Sequence, residues 1–257
     1  LFKTGEFEIT VLDNLHPQIH GVKGDSFTFK KIEGKCNFIK GDVQDEELFR
    51  SELSKNNILI HLAAETGTGQ SMYETSRYVK ANCLSTSYIV DQLNTGDHSI
   101  EKVIVASSRS IYGEGKYQCA EHGLIYPDSR EMSDMQGGEF ECLCPKCNKK
   151  LEILPTSEDS RIHPISAYGL TKFFQENLLE SSCVALEVPF VALRFQNVYG
   201  VGQSLSNPYT GIISIFSNRF RKGKGVNIFE DGEESRDFVY ISDVIDSLEA
   251  SIRIKNT

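Results

Sequence analysis

Short apolar runs alternate along the chain with longer stretches in which apolar positions recur at helical spacing. Continuous apolar runs are typical of buried strands in a parallel sheet, and the amphipathic stretches between them are typical of the helices that cover it. The predicted strands are residues 9–12, 38–39, 57–64, 102–106 and 190–193, and the clearest predicted helices are residues 71–93 and 167–181.

The order of these elements predicts an α/β fold of the Rossmann type, a doubly wound parallel sheet with ligands at the carboxyl ends of its strands. We predict a sheet domain in residues 1–200 and a partial substrate-binding region in residues 201–257. A Rossmann fold opens with a strand and a Gly-rich turn that binds a pyrophosphate, and this chain begins about where the first helix would end. We therefore expect the first βα unit to be missing and dinucleotide binding to be weak.

An insert at residues 114–160 interrupts the pattern. It is polar, has no clear period and offers few apolar residues around which to fold. It contains Cys119-x-x-His122 and Cys144-x-x-Cys147, and this spacing is typical of structural zinc held by three thiolates and one imidazole. Four protein ligands leave no open position for chemistry. We therefore expect a structural zinc knuckle, placed over the mouth of the active site.

The cysteines also indicate a compartment. There are seven, an odd number, and four of them lie between residues 119 and 147. This distribution favours a reducing compartment and a metal over a disulfide framework. Cys142 is a spare thiol that could exchange with Cys144 as a ligand. The alternative is a flexible loop with incidental cysteines.

The composition and net charge of the chain exclude some classes of binding partner. The chain has 257 residues, of which 39% are hydrophobic and 25% charged, as in an ordinary globular protein. Its net charge of −9 opposes a nucleic-acid surface and anionic membranes. No apolar run approaches the length of a membrane span, and no secretory signal opens the chain. We expect a cytoplasmic protein whose partners include neither nucleic acid nor membrane.

Tyr168 and Lys172 stand one helical turn apart in the predicted helix, so the phenol and the ammonium share a face. An ammonium so placed should lower the pKa of the phenol and make Tyr168 a general base near neutral pH. Ser108, at the end of an apolar strand, offers a hydroxyl for the same substrate oxygen. The alternative is chance, since Tyr-x-x-x-Lys occurs on many amphipathic helices.

Several residues at strand ends suit a dinucleotide. Asp13 could accept hydrogen bonds from ribose hydroxyls and repel a 2′-phosphate, which favours NAD over NADP. Asp42 and Val43 fit an adenine edge, and Ala63 and Ala64 allow close approach of a cofactor. The alternative for Asp13 is an ordinary turn residue. For Asp42 and Val43 it is a plain loop, and for Ala63 and Ala64 it is close packing of a helix on the sheet.

Seven motifs in order resemble the extended short-chain dehydrogenases/reductases, and more narrowly the NAD-dependent nucleotide-sugar epimerases and dehydratases. The resemblance covers essentially the whole chain. The motifs are Asp13, Gly41-Asp42, His61-Leu-Ala-Ala64, Ser107-Ser-Arg-Ser-Ile-Tyr-Gly113, Tyr168-x-x-x-Lys172, Arg194-Phe-Gln-Asn-Val-Tyr-Gly200 and Arg236-Asp-Phe-Val239.

The resemblance implies a role for each site residue. Ser108 binds the reacting hydroxyl, Tyr168 is the base, and Lys172 tunes it while holding the nicotinamide ribose. The implied NAD contacts are Asp13, Asn14, Asp42, Val43, Leu62, Ala63, Ala64, Asn82, Tyr168 and Lys172. The implied nucleotide-sugar contacts are Ser108, Asn197, Gln203, Asn207, Tyr209 and Arg236. Family habit implies a homodimer through two long helices, one of which is the predicted helix at 167–181.

The resemblance also bears on the reaction. In the 4,6-dehydratases of this family an Asp-Glu pair follows the hydroxyl residue, whereas here Arg109 and Ser110 occupy those positions. We therefore expect a 4-epimerase that uses dTDP-L-rhamnose or a related dTDP- or UDP-hexose through a transient 4-keto sugar. A dehydratase or oxidoreductase of the family is one alternative. A non-catalytic protein that binds NAD or a nucleotide sugar is another.

Overall fold

The structure is a computed structural model that describes residues 1, 4–21, 27–205, 207–209 and 211–254. The strands are β1 (Thr10–Asp13), β2 (Asn37–Lys40), β3 (Ile58–His61), β4 (Lys102–Ser108), β5 (Lys116–Cys119), β6 (Gly123–Ile125), β7 (Glu152–Leu154), β8 (Phe190–Phe195), β9 (Asn197–Tyr199) and β10 (Phe238–Tyr240). The α-helices are α1 (Pro17–His20), α2 (Phe27–Ile32), α3 (Glu46–Leu53), α4 (Thr68–Ser71), α5 (Thr75–Tyr78), α6 (Ser85–Thr95), α7 (Met132–Gln136), α8 (Ala167–Ala185), α9 (Ile212–Arg221) and α10 (Ile241–Arg253). Val79–Leu84 is a π-helix and Arg109–Tyr112 a 3₁₀-helix. Of these helices, none combines the length and the apolar content needed to cross a bilayer.

The parallel strands form two groups. Strands β3, β4 and β8 make a sheet with β4 at its centre, and β1 pairs with β2. Among the described residues β1 and β3 do not pair with each other, and both line a cavity of about 670 Å³. The predicted α/β sheet is thus present in two parts, and the carboxyl ends of β1, β2 and β3 open onto this cavity.

Strand β4 is covered on both faces. Val103 and Val105 belong to a hydrophobic core to which α3, α6 and α8 also contribute. Ile104 points the other way, since side chains alternate along a strand, and it is also fully buried. Burial on both faces is what the continuous apolar run predicts. It fixes the carboxyl end of β4, where the serines lie.

The first turn of α8 packs closely against the chain that follows β4. Ser166 caps this helix by accepting a hydrogen bond from the backbone N–H of Gly169 at 3.0 Å. A Cβ atom at Gly169 would lie 2.6 Å from the backbone oxygen of Ser110, so only glycine fits there without a shift. This close approach brings Tyr168 beside Ser108.

Two predicted elements differ from the observed ones in where they begin, end or divide. The predicted helix at 71–93 is divided into α5, the π-helix and α6, because the chain widens by one residue where Ser85 N–H donates to the carbonyl of Lys80. The predicted strand at 57–64 ends at His61, and the next three residues line the cavity instead.

The insert is folded. Strand β5 pairs antiparallel with both β6 and β7, and a small hydrophobic cluster that includes Tyr117, Ile125 and Leu151 forms beside them. The expectation that the insert lacks apolar residues to fold around is therefore wrong. These residues are far apart in sequence and meet only because the strands pair.

The region after β8 packs back onto the sheet. Strand β10 pairs in parallel with β9, and α10 packs on β4. The buried ammonium of Lys102 donates to the backbone carbonyls of Ser251 at 3.0 Å and Ile252 at 3.1 Å, and also to that of Ile254. A cation thus satisfies the last carbonyls of α10.

Candidate active site

Ser108 and Tyr168 meet where β4 ends and α8 begins. The Ser108 hydroxyl accepts a hydrogen bond from the backbone N–H of Ser110 at 3.2 Å and lies near enough to the Tyr168 phenol to lower its pKa. The backbone N–H of Tyr168 donates to Ser71 Oγ at 3.0 Å, and its ring lies edge-on to Tyr78 with the centroids 6.3 Å apart. The structure therefore brings the predicted serine and tyrosine together and fixes the tyrosine from three sides.

Burial raises the pKa of Tyr168, and the nearby Ser108 hydroxyl partly opposes that rise. The ammonium of Lys172 donates elsewhere, to the carbonyl of Ala106 at 2.9 Å and to Gln175 Oε1 at 2.9 Å. The prediction that Lys172 lowers the pKa of Tyr168 is therefore wrong for this structure. Side chains one turn apart share a face, but the long lysine stem lets the ammonium turn toward β4.

Lys172 lies in a buried polar network. Burial lowers the pKa of Lys172 to about 7. Burial and the nearby Lys172 lower the pKa of His61 to about 3, so this imidazole is neutral and can accept a hydrogen bond. Gln175 Nε2 lies 3.2 Å from His61 Nε2 and donates to Thr86 Oγ1 at 2.9 Å. Gln175 thus connects the lysine to β3 and α6.

Roles for His61 and Gln175 were not expected from the sequence. A signal is present, because Gln175 lies one turn after Lys172 and one turn before Leu179 on a buried face of α8. A polar residue on such a face needs a partner. Sequence alone does not show that this partner is the lysine.

The residues predicted to bind the adenosine part of NAD lie together. Asp13 ends β1, Asn14 follows it, and Asp42 comes shortly after β2. Asn14 Nδ2 donates to Asp42 Oδ2 at 2.8 Å, and Asp13 Oδ1 accepts from the backbone N–H of Leu15 at 2.7 Å. The Asp13 side chain remains 45% exposed, so it can accept further hydrogen bonds. The other predicted residues on this cavity are Val43, Leu62, Ala63 and Ala64.

Asn82 has a different setting. It lies in the π-helix and is fully buried. Its Oδ1 accepts from the backbone N–H of Glu65 at 2.8 Å, and its Nδ2 donates to the carbonyl of Glu65 at 3.1 Å and to Thr171 Oγ1 at 2.9 Å. In this structure Asn82 holds the segment after β3 against α8, and its contact with a cofactor stays a prediction.

The predicted substrate residues are spread around the C-terminal region. Asn197 begins β9, and Gln203 Nε2 donates to the carbonyl of Val198 at 3.1 Å. Asn207 is buried, and its Oδ1 accepts from the backbone N–H of Tyr209 at 3.1 Å. The Tyr209 side chain is exposed. Ser206, between Gln203 and Asn207 in sequence, lies outside the described residues.

Arg236 lies in the exposed chain before β10, where it donates to Glu234 Oε1 at 3.1 Å. It is close enough to Arg109 to affect that guanidinium: burial first, and Arg236 second, lower the pKa of Arg109, while Glu114 opposes them. The two guanidinium groups, with glutamates beside them, are of the type that can bind a diphosphate.

The fit to NAD depends on which polar groups are accessible, and two hydroxyls beside Ser108 are not. The Oγ atoms of Ser107 and Ser110 are buried and, among the described residues, have no hydrogen-bond partner. An unpaired buried hydroxyl is unfavourable in a folded protein. These two hydroxyls are enclosed by protein and do not face the cavity. The groups that fit NAD are the carboxylates of Asp13 and Asp42, which line the open cavity and can accept hydrogen bonds from ribose hydroxyls.

Cys119, His122, Cys144 and Cys147 meet within the insert, with their ligand atoms all within 4.8 Å of one another. His122 Nδ1 lies 3.6 Å from the sulfurs of Cys119 and Cys144, and the sulfurs of Cys119 and Cys147 are 3.7 Å apart. Tetrahedral zinc with its usual bond lengths has S···N edges of about 3.6 Å and S···S edges of about 3.8 Å.

Cys142 lies outside this cluster. Its buried thiol hydrogen-bonds Tyr117, and burial raises the pKa of Cys142. The structure thus separates the predicted spare thiol from the four predicted ligands, and it gives no support to an exchange with Cys144.

Comparison with known proteins places this geometry in a family. The sequence model of the NAD dependent epimerase/dehydratase family matches residues 4–131 and 141–255. A dTDP-L-rhamnose 4-epimerase of Burkholderia thailandensis is 38% identical over 245 residues, which are 94% of this chain and 65% of that protein. A putative UDP-glucose 4-epimerase of Methanocaldococcus jannaschii is 27% identical over 252 residues, or 97% of this chain and 67% of that protein.

Solved structures share the fold. UDP-glucose 4-epimerase of Thermotoga maritima with UDP-glucose has a TM-score of 0.73 at 25% identity, over 98% of this chain and 67% of that one. UDP-glucuronic acid 4-epimerase of Bacillus cereus with UDP-glucuronic acid and NAD has a TM-score of 0.74 at 22% identity. The match covers 100% of this chain and 68% of that one. The chain spans from 49% to 67% of the length of the curated relatives it matches. Its sheet, its serine and tyrosine at the end of β4 and its matched residues together show that the chain belongs to the NAD dependent epimerase/dehydratase family.

Proposed function

We propose that this protein is an NAD-dependent nucleotide-sugar 4-epimerase that acts on dTDP-L-rhamnose or a related dTDP- or UDP-hexose. The observation that carries the proposal is the placement of Ser108 and Tyr168 side by side, where the first turn of α8 packs closely against the end of β4. The pair can move a proton to and from a hydroxyl, but the next positions, Arg109 and Ser110, offer no carboxyl group to eliminate water. The similarity to a dTDP-L-rhamnose 4-epimerase supports the substrate class.

The chemistry assigns a task to each side chain. Tyr168 takes the proton from the C4 hydroxyl while Ser108 holds the same oxygen by a hydrogen bond. When bound, NAD supplies the acceptor for the C4 hydride and a positive charge that favours the phenolate. Tyr168 returns the proton after the keto sugar has turned in the pocket, so no net oxidation occurs. Asp13, Asn14 and Asp42 hold the adenosine end of the cofactor, and Lys172 holds the nicotinamide ribose.

The nucleotide part of the substrate binds through the C-terminal region. Arg236, facing Arg109, binds the diphosphate, because a guanidinium can donate to two phosphate oxygens at once. Asn197, Gln203, Asn207 and Tyr209 complete the nucleotide-sugar site.

We further propose that Cys119, His122, Cys144 and Cys147 bind structural zinc. Three sulfurs and one imidazole nitrogen at tetrahedral spacings are the ligand set that zinc prefers, and four protein ligands exclude a bound water. The metal therefore organises the insert and takes no part in the reaction.

A homodimer is part of the same proposal. Leu170 and Phe174 lie one turn apart on α8 and are 55% and 43% exposed. Val79 and Leu84 on the adjoining π-helix are each 44% exposed. Four large apolar side chains on two packed helices make a surface suited to a second copy of the chain.

The test is turnover of a panel of dTDP- and UDP-sugars by the full-length protein, followed by proton NMR of the products. We expect a C4 epimer without net change in NADH, and Tyr168→Phe should lower kcat by at least about a hundredfold with its NAD content intact. Near-normal turnover by Tyr168→Phe contradicts the mechanism. Loss of water or stoichiometric NADH would instead select a dehydratase or an oxidoreductase. Bound NAD with no turnover of any sugar would select a binding protein.

A further inference from the structure

One arginine of the insert contacts the loop that carries Arg236. Arg130 precedes α7, and its Nη1 donates to Glu230 Oε2 at 2.7 Å and to the carbonyl of Phe140 at 2.9 Å. Its Nε lies 3.7 Å from Glu114 Oε1, and its Nη2 lies 4.0 Å from Glu234 Oε1. A single guanidinium therefore joins the start of the insert, the interior of the insert and the loop before β10.

This contact is better shielded than an ordinary surface ion pair. Arg130 and Glu230 are 22% and 19% exposed, whereas Arg253 and Glu6 are 47% and 52% exposed. The hydrogen bond to Glu230 raises the pKa of Arg130 against the effect of burial. Partly buried pairs with direct hydrogen bonds hold a fixed geometry, and removing one partner leaves the other charge unpaired.

The backbone of Glu230 is also constrained. Its φ of 54° lies in the left-handed region, which a residue with a side chain rarely adopts. Such a conformation persists when the surrounding contacts hold it, and here the contact is with Arg130. The arginine thus fixes the loop at the point where its backbone is least favourable.

The loop before β10 carries this constraint from Glu230 to Arg236. Glu234 Oε1 accepts from Arg236 Nη2 at 3.1 Å and also faces Arg130. Arg109, on the other side, is fixed by its bond to the carbonyl of Gly113 at 2.8 Å. The like charges of Arg109 and Arg236 repel, so the pair needs such a support to stay close before an anion arrives.

We propose that Arg130 is a positioning residue that holds Arg236 opposite Arg109, so that the metal-organised insert sets the affinity for the diphosphate of the substrate. This inference rests on the proposed function. It assigns the insert a role in binding that is separate from proton transfer at Tyr168.

The experiment compares Arg130→Met with Arg130→Lys in the full-length protein. Arg50→Met is the matched control, because Arg50 is also partly buried, pairs with Glu46 at 3.2 Å and donates to Gln92 Oε1 at 3.2 Å, and lies remote in sequence from the insert. In Arg130→Met we expect faster hydrogen exchange at residues 230–236. We also expect a rise of about tenfold in the Kd for free dTDP or UDP and in KM, because a shielded charged hydrogen bond is lost. The kcat should stay within about twofold, and Arg130→Lys should recover part of the affinity.

Loss of the metal provides a second, independent test of the same proposal. Cys144→Ser should raise the same Kd in the wild-type background and add little in Arg130→Met, because both changes release one loop. Exchange and Kd in Arg130→Met equal to those of Arg50→Met would overturn the inference. A parallel fall in kcat or NAD content would also overturn it, since Arg130 would then support the whole fold. If the wild-type protein binds neither nucleotide, the proposed function fails, and the exchange at 230–236 still decides whether Arg130 holds the loop.

Discussion

Lys172 shows how one buried charge sets the response of the molecule to pH. Its pKa is lowered to about 7 by burial, whereas an unfolded lysine keeps a pKa of about 10.4. Between these values the unfolded chain binds more protons at this residue than the folded chain does, so its contribution to stability rises with pH. Below about pH 7 the folded protein carries the full penalty of the buried ammonium.

We therefore expect Lys172→Met to stabilise the protein most at or below pH 7 and to lose that advantage as the pH rises toward 10. Activity should fall by at least about a hundredfold, because the ribose contact is lost. Urea denaturation of both proteins at pH 6, 7.5 and 9 measures the difference. A stability difference independent of pH would show that Lys172 is not titrated in this range. Lys55→Met is the control, because the Lys55 side chain is 59% exposed and pairs with Glu52 at 2.7 Å.

At the scale of elements, the approach of α8 to the end of β4 decides whether Ser108 and Tyr168 can meet. Gly169→Ala places a methyl group 2.6 Å from the backbone oxygen of Ser110, so the helix must move. We expect a loss of about 1–3 kcal/mol in the free energy of unfolding, and a fall in kcat of about tenfold as the serine and tyrosine hydroxyls move apart.

Gly69→Ala is the matched control for that prediction. Gly69 lies in α4, and a Cβ there meets nothing within 4 Å, so the change should be neutral or slightly stabilising. Thermal melts and steady-state kinetics of both variants make the comparison. Equal behaviour of the two variants would mean that α8 adjusts without disturbing the site.

The insert is the element for which metal content can be measured directly. Cys144→Ser removes one of the four clustered ligands and should lower bound zinc from about one per chain to near zero, because three ligands bind far more weakly. Cys142→Ser is the control, since this buried thiol lies outside the cluster and should leave the zinc content unchanged. Elemental analysis checks both, and equal loss in the two variants would place Cys142 in the site.

The sequence predicts an element well when its signal is local. Strand β4 follows from a continuous apolar run, and α8 follows from Ser166 and a helical period. The π-helix at Val79–Leu84 is not predictable in this way, because its residues keep ordinary helical spacing. The sheet of the insert depends on pairing between Lys116–Cys119 and Glu152–Leu154, which are distant in sequence.

The same distinction between local and long-range signals applies to the residues of the candidate sites. The cluster of Cys119, His122, Cys144 and Cys147 is predictable, because two short chelating pairs need only one fold of the chain to meet. The direction of the Lys172 ammonium is not, since its choice of Ala106 and Gln175 depends on a rotamer and on packing.

At the scale of the whole molecule, the exposed apolar surface of α8 and the π-helix bears on assembly. We expect the full-length protein to be a dimer and Phe174→Glu to make it monomeric, because a charge would be buried at the interface. Light scattering after size exclusion measures the mass. Val184→Glu, on the same helix at 73% exposure and outside the proposed surface, is the control. A dimer that survives Phe174→Glu would place the interface elsewhere.

The two ends of the insert are tied to each other and to the sheet. Arg194 donates to the phenol oxygen of Tyr112 at 2.7 Å and to the carbonyl of Glu158 at 2.8 Å, while it also pairs with Glu176 of α8. The backbone N–H of His163 donates to the carbonyl of Ile111 at 2.8 Å. The chain therefore leaves the main sheet after β4 and returns to it before α8 at nearly the same place.

Such a junction makes the insert an exchangeable module. Evolution could lengthen, shorten or replace it without separating the strand that carries Ser108 from the helix that carries Tyr168, because closing a short loop between neighbouring ends costs little entropy. Relatives with one chemistry could then diverge through this module in their affinity for the nucleotide diphosphate. Protein engineers could graft or remove the insert in the same way and leave Ser108 and Tyr168 in place.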